Sequence, residues 1–252
     1  MKLKKLDRLL KEKFQIEKIK DPSLNGIQIE GNSQISNIGF AVDVNDKTIS
    51  MAIENSVDIL IVHHGLFWGT EYRIKGIMKK RIKKLLANDI TLYAIHLPLD
   101  IHTKLGNNRY IFEKLNLEKR QKLVDYEGFP LGFVGILENR ISLNNFEKKI
   151  DEKLGGINHK IVSGRKVKKV AILSGDPKSL LDKIFEQDFD VLVSGELTHE
   201  IYFNIIEKNI SAFFVGHYQS EIGGVKLLKE YFENNYNDEI GNTYFFEYDS
   251  GL

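Results

Sequence analysis

A few histidines and carboxylates in this chain stand where they can act together. His63 and His64 follow Asp58-Ile59-Leu60-Ile61-Val62 directly. His96 and Asp100 follow Thr91-Leu92-Tyr93-Ala94-Ile95, and Glu196 follows Val191-Leu192-Val193-Ser194-Gly195. His217 and Glu221 follow the run from Ile210 to Val215. Each group therefore sits just past a short apolar run. The chain has 0 cysteines, which excludes disulfides, thiolate catalysis, zinc fingers and iron–sulfur clusters. Any metal must be held by imidazole nitrogen and carboxylate oxygen, a donor set that suits Zn, Fe, Mn, Ni or Co. Two ions about 3.5–4 Å apart, bridged by a carboxylate, use more donors than one ion needs, and the residues match that demand. Each residue also has a plainer role open to it. One of two adjacent strand histidines can pack in a core, and Asp100 can cap a helix before Ile101. His217 and Glu221, four apart, can form a surface pair on a helix. The coincidence of four strand ends is what favours a metal.

Positioning these groups takes a parallel sheet. Ile38 to Val44, Asp58 to Val62 and Thr91 to Ile95 read as buried strands, with helices predicted over 3–19, 46–55 and about 77–87. Strands at Val167 to Leu173, Asp190 to Ser194 and Ile210 to Val215 repeat this grammar, with helices over 178–187 and closing at 205–208. A shift of 132 residues lays Ile38 on Val170, Asp58 on Asp190 and Leu60 on Leu192, so one α/β unit is duplicated. Ligands of open α/β sheets bind past the carboxyl ends of the strands, where the polar groups stand. The expected lobes are 1–122 and 123–252, with no flexible linker. The segment from Leu123 to Lys168 is a strand-like, glycine-punctuated stretch followed by a helix. It belongs either to the inner face of the second lobe or to a β-rich insertion.

With 252 residues, 36 Lys+Arg against 35 Asp+Glu and a net charge of +1, the chain is long enough to fold without a metal and is no bulk polyanion binder. No apolar stretch reads as a signal peptide or a membrane span, so a cytoplasmic location is expected.

Several segments resemble the signatures of the type-2 GTP cyclohydrolase I-like family, also called the NIF-three-like family. They are His63-His64-Gly65-Leu66-Phe67-Trp68, His96-Leu97-Pro98-Leu99-Asp100 and Gly216-His217-Tyr218-Gln219-Ser220-Glu221. Asn25-Gly26-Ile27-Gln28-Ile29-Glu30-Gly31 and Leu105-Gly106-Asn107-Asn108 look like two further family motifs. The resemblance implies duplicated α/β lobes with pseudo-two-fold symmetry and a dinuclear metal centre between them at the strand carboxyl ends. It places the metal ligands on His63, His64, Asp100, His217 and Glu221, with Glu221 bridging. Glu221 and His96 are the candidate catalytic residues, and Asp43, Glu196, Trp68 and Tyr218 flank the cleft. Phe67, Trp68 and Tyr218 are candidates to stack a base. Gly65 is a departure, since some members carry Pro there. The resemblance also implies a homohexamer of two stacked trimers.

The expected activity is metal-dependent hydrolysis of a small molecule. The family name implies opening of the imidazole ring of GTP with release of formate, although the chain has no P-loop and no GxGxxG. The rival expectation is a ring-shaped protein that binds single- or double-stranded DNA, or a scaffold with structural metals. Lys79, Lys80 and Arg81 would then be multiplied around an opening.

Overall fold

The computed structural model describes residues 1–249 and Gly251, which form two compact units. One comprises Met1–Leu99 and Val225–Tyr248; the other comprises Asp100–Gly224 with Asp249 and Gly251.

The first unit opens with α1 (Leu3–Phe14), which buries Leu3, Leu6, Leu10 and Phe14 along one stripe. It stops at Gln15, which takes the left-handed conformation, so the helix is shorter than the predicted 3–19. Next come β1 (Gly26–Ile29), β2 (Ile38–Asp43), α2 (Asp46–Glu54), β3 (Ile59–His64), α3 (Gly76–Ala87) and β4 (Thr91–Ala94). A capping box starts α2: the Asn45 side chain accepts from Thr48 N, and the Thr48 hydroxyl binds Asn45 N in return. The chain leaves this unit within α4 (Leu97–Ile101) and returns within α9 (His217–Tyr236). A last strand, β11 (Thr243–Phe245), closes a sheet of order β1-β4-β3-β2-β11.

The second unit holds α5 (Asn107–Lys114), β5 (Glu118–Tyr126), β6 (Phe129–Ser142), α6 (Leu143–Leu154), β7 (His159–Ile161) and β8 (Lys166–Leu173). Then come α7 (Leu181–Phe185), β9 (Val191–Ser194), α8 (His199–Glu207) and β10 (Ser211–Phe214), before α9 begins. Its sheet runs β5-β6-β8-β9-β10-β7. The middle segment is thus a hairpin that widens this sheet, with β6 continuing to Ser142. The helix predicted over 178–187 is a 3₁₀ turn, Lys178–Leu180, leading into the short α7.

Duplication is visible in the hydrogen bonds. The order β1-β4-β3-β2 is matched by β7-β10-β9-β8, with the same antiparallel edge and the same parallel centre. In the first unit, Asp58 Oδ2 accepts from Ser36 N at 2.8 Å and Asn37 N at 2.8 Å. In the second, Asp190 Oδ2 accepts from Lys168 N at 2.7 Å and Lys169 N at 2.8 Å. Gly31 N donates to Thr91 Oγ1 at 3.0 Å, and Ser163 N donates to Ser211 Oγ at 3.0 Å. These pairs follow the sequence shift at Asp58 and Asp190.

The units divide the chain differently from the expected 1–122 and 123–252. β5 pairs with β6, which carries residues from Glu118 onward into the second sheet. Near the C-terminus, β11 pairs with β2, and Phe232 of α9 lies 5.8 Å from Phe40, which holds this stretch in the first unit.

Removing either duplicated aspartate leaves two backbone N–H groups without their charged acceptor. Asp58→Ala and Asp190→Ala should each cost about 1–3 kcal/mol, read by urea denaturation. A loss at one position only would show that the two do not play the same part.

Candidate metal centre

In the first unit, β3 runs through both histidines, so they belong to the strand itself rather than to a loop after it. His63 is fully buried, and its Nδ1 donates to the carbonyl of Ile95 at 2.9 Å. His64 is paired in register with Asp43 on β2, and its ring centroid lies 4.5 Å from that of His63; its Nδ1 lies 2.9 Å from Asp43 Oδ1. His96 follows β4, and its Nδ1 lies 2.8 Å from Asp21 Oδ1. Ring nitrogens of His63, His64 and His96 all come within 4.8 Å of one another.

A second layer of polar groups fixes this arrangement. Asp21 Oδ1 accepts from Ser23 N at 2.9 Å as well as facing His96. Its Oδ2 accepts from Asn25 Nδ2 and from Leu97 N, each at 2.8 Å. Asn25 Oδ1 in turn accepts from His96 N at 2.7 Å. Burial pushes the Asp21 carboxyl up, but His96, Asn25 and Ser23 outweigh it and hold the group below the usual carboxylate range. Gln28 pins the stretch after the paired histidines: its Oε1 accepts from Leu66 N at 2.6 Å and Phe67 N at 3.2 Å. A Cβ on Gly65 would meet Gln28 Oε1 at 2.4 Å, which gives that departure a reason. Trp68 is half-buried, edge-on to the His96 ring at a centroid distance of 4.9 Å.

In the second unit, Asp100 is 4% exposed and lies inside α4, so it is no N-cap. Its Oδ1 accepts from Asn107 Nδ2 at 2.9 Å and from Ser174 Oγ at 2.8 Å. Asn108 completes the network by accepting from Ser174 N at 2.8 Å, and Asn107 Oδ1 accepts from Gly224 N at 2.7 Å. Glu221 is 3% exposed and has an oxygen within 4.8 Å of one on Asp100. His217 opens α9; its Nδ1 lies 2.6 Å from Glu196 Oε1 and its Nε2 lies 3.0 Å from Glu221 Oε2. Gly175, at φ +68°, leaves room for Glu221, since a Cβ there would meet Glu221 Oε1 at 2.5 Å.

These residues fit a divalent cation. Two buried carboxylates this close need positive charge beside them. The carbonyl of Ile95 can only accept, so His63 Nδ1 carries the hydrogen, and in the neutral ring the lone pair is on Nε2, the state a metal ligand needs. The contact between His217 Nε2 and Glu221 Oε2 sets two acceptors together unless a proton or a cation joins them.

Other expected residues fare differently. Tyr218 is 3% exposed, so its ring packs inside instead of offering a face to a base. Lys80 and Lys84 both pair with Asp46, at 3.1 Å and 2.7 Å. Asp21 and Ser174, which the structure places in these networks, have no signal in the sequence that marks them as site residues. Asn25, Gln28, Asn107 and Asn108 stood in quoted motifs without a part assigned.

Two sheets that share a four-strand order, with His and carboxylate donors on their strands and on the helices that follow, define a duplicated α/β protein with donors for a divalent metal. The chain belongs to the Duf34/NIF3 (NGG1p interacting factor 3) family, whose profile matches residues 1–249. It is 37% identical over 230 residues to an Archaeoglobus fulgidus protein named GTP cyclohydrolase 1 type 2 homolog, covering 91% of this chain and 92% of that one. A Deinococcus radiodurans protein of the same name is 34% identical over 251 residues, covering 98% and 93%. Among solved structures, TTHA1606 from Thermus thermophilus superposes with a TM-score of 0.89 at 33% identity over 100% of both chains. Among the described residues, no helix is long and apolar enough to cross a membrane.

Asp21 supplies a pH test. A depressed carboxylate contributes stability above its unfolded value near pH 3.9, and that contribution is lost as pH falls through the folded value. The stability gap between wild type and Asp21→Asn should be widest near neutrality and shrink below about pH 4, in denaturant titrations at several pH values. A gap independent of pH would mean that Asp21 is not held as an anion.

Proposed function

We propose that His63, His64, Asp100, His217 and Glu221 would hold two divalent ions, which the chain would use to hydrolyse a small polar substrate. The observation behind this reading is the pair of buried carboxylates, Asp100 and Glu221, with oxygens within 4.8 Å of each other. A chain of this length needs no metal to fold, so such a costly arrangement argues for chemistry. Divalent ions at these donors supply Lewis acidity toward a substrate oxygen and acidify water. His96, oriented by Asp21, holds and moves a proton at Nε2. The name borne by the relatives makes a purine nucleotide ring the first substrate class to test.

Metal-replete protein should carry about two divalent ions per chain in elemental analysis, and Glu221→Gln should lose more metal than Glu196→Gln. Finding none in wild type would remove the reading. Turnover of nucleotides, phosphoesters or cyclic amides that vanishes in His64→Ala supports it. Binding to DNA that falls steeply with salt, weakens on replacing Lys79, Lys80 and Arg81 and ignores His64→Ala would favour the nucleic-acid reading instead.

The same proposal has the chain assemble as a homohexamer of two stacked trimers. Light scattering on a sizing column should report six chains. A stable monomer at micromolar concentration would contradict it.

A further inference from the structure

The duplication does not copy the site. By the shift that lays Ile59 on Val191, His64 corresponds to Glu196, and Asp43 corresponds to Gly175. In the first unit the imidazole stands at the end of β3, and the carboxylate that holds it stands at the end of β2. In the second unit the position of the imidazole is taken by a carboxylate, Glu196, which holds an imidazole arriving from the start of α9, His217. The position of Asp43 becomes Gly175, which makes room for Glu221. Imidazole and anchor have exchanged places, yet the product is the same: Nδ1 against a carboxylate oxygen, at 2.9 Å in one unit and 2.6 Å in the other.

We propose that Asp43 and Glu196 are positioning residues, which hold His64 and His217 with hydrogen on Nδ1 and the lone pair on Nε2 and thereby set the affinity for metal. The proposal rests on the metal-binding reading above. Its physical basis is that a carboxylate on the far nitrogen fixes the ring's orientation and tautomer and raises its basicity as a ligand. Exposure separates this role from a structural one. The side chains of Asp43 and Glu196 are 43% and 40% exposed, and pairs so open to water add little to stability.

The test uses the full chain with Zn²⁺ as probe, in competition with a chromophoric chelator. Asp43→Ala and Glu196→Ala, one in each unit, should each weaken Zn²⁺ binding about 10–100-fold while leaving the thermal unfolding midpoint of the metal-free protein nearly unchanged. Asp43→Asn and Glu196→Gln keep an acceptor for Nδ1–H and should recover part of that loss. Ring ¹⁵N shifts of His64 in metal-free protein should report hydrogen on Nδ1 in wild type and in Asp43→Asn, and a shift toward the other tautomer in Asp43→Ala. Alanine variants that bind Zn²⁺ as tightly as a wild type that does bind it, or a wild-type His64 with hydrogen on Nε2, would overturn the proposal alone. A wild type that binds no Zn²⁺ would overturn the metal-binding reading, and the affinity claim with it.

Discussion

Everything in the second unit's site follows from the burial of Asp100 and Glu221. Ionised carboxylates are acceptors only, and removing them from water is costly unless donors and positive charge replace the solvent. The chain meets the first demand with neutral groups. Asn107 and Ser174 donate to Asp100, and Asn108 ties Ser174 in place. Asn107 spans further, to the backbone of Gly224, where the absence of a side chain allows the approach. A network in which each member holds the next has little freedom to relax, so Asp100 stays where the fold sets it.

The first unit solves the complementary problem of orienting imidazoles. Here the anchors differ in kind: a backbone carbonyl for His63, a half-exposed aspartate for His64 and a nearly enclosed aspartate for His96. The N-terminal segment therefore serves the site although it supplies no donor to it. Asp21, Asn25 and Gln28 grip His96 and the stretch after His64 through side chain to backbone bonds. Such bonds fix orientation as well as position, and a ligand requires both.

Much of this was legible in the sequence. Buried parallel strands are continuous apolar runs, so Ile59 to Val62 and Val191 to Val193 announced themselves, and polar residues immediately after them marked the rim. The family motifs supplied the order in which those rims recur. Edges were harder. β5 begins Glu-Lys-Arg-Gln-Lys, all exposed, because a charged edge strand resists pairing with other chains and so carries no apolar signature. β11 is a three-residue strand. Asp21 escaped because it acts on a residue 75 positions away, and nothing local distinguishes such a side chain from a helix-ending aspartate before proline. For Tyr218 the sequence leaves packing and base stacking both open, because adjacency along the chain says nothing about which face of a helix a ring occupies; the residue is buried.

The path of the chain orders its synthesis. One stretch, Asp100 to Gly224, supplies every strand of the second sheet, so those pairings can form as soon as that stretch is made. The first sheet must wait: β2 gains its outer neighbour only when Thr243 to Phe245 arrive. Until then β2 presents an unpaired parallel edge, a template for adhesion to other chains. The loop that must close spans roughly two hundred residues, and the entropy of closing it is met only once Thr243 to Phe245 have been made. Folding of the half that is made first is thus completed last.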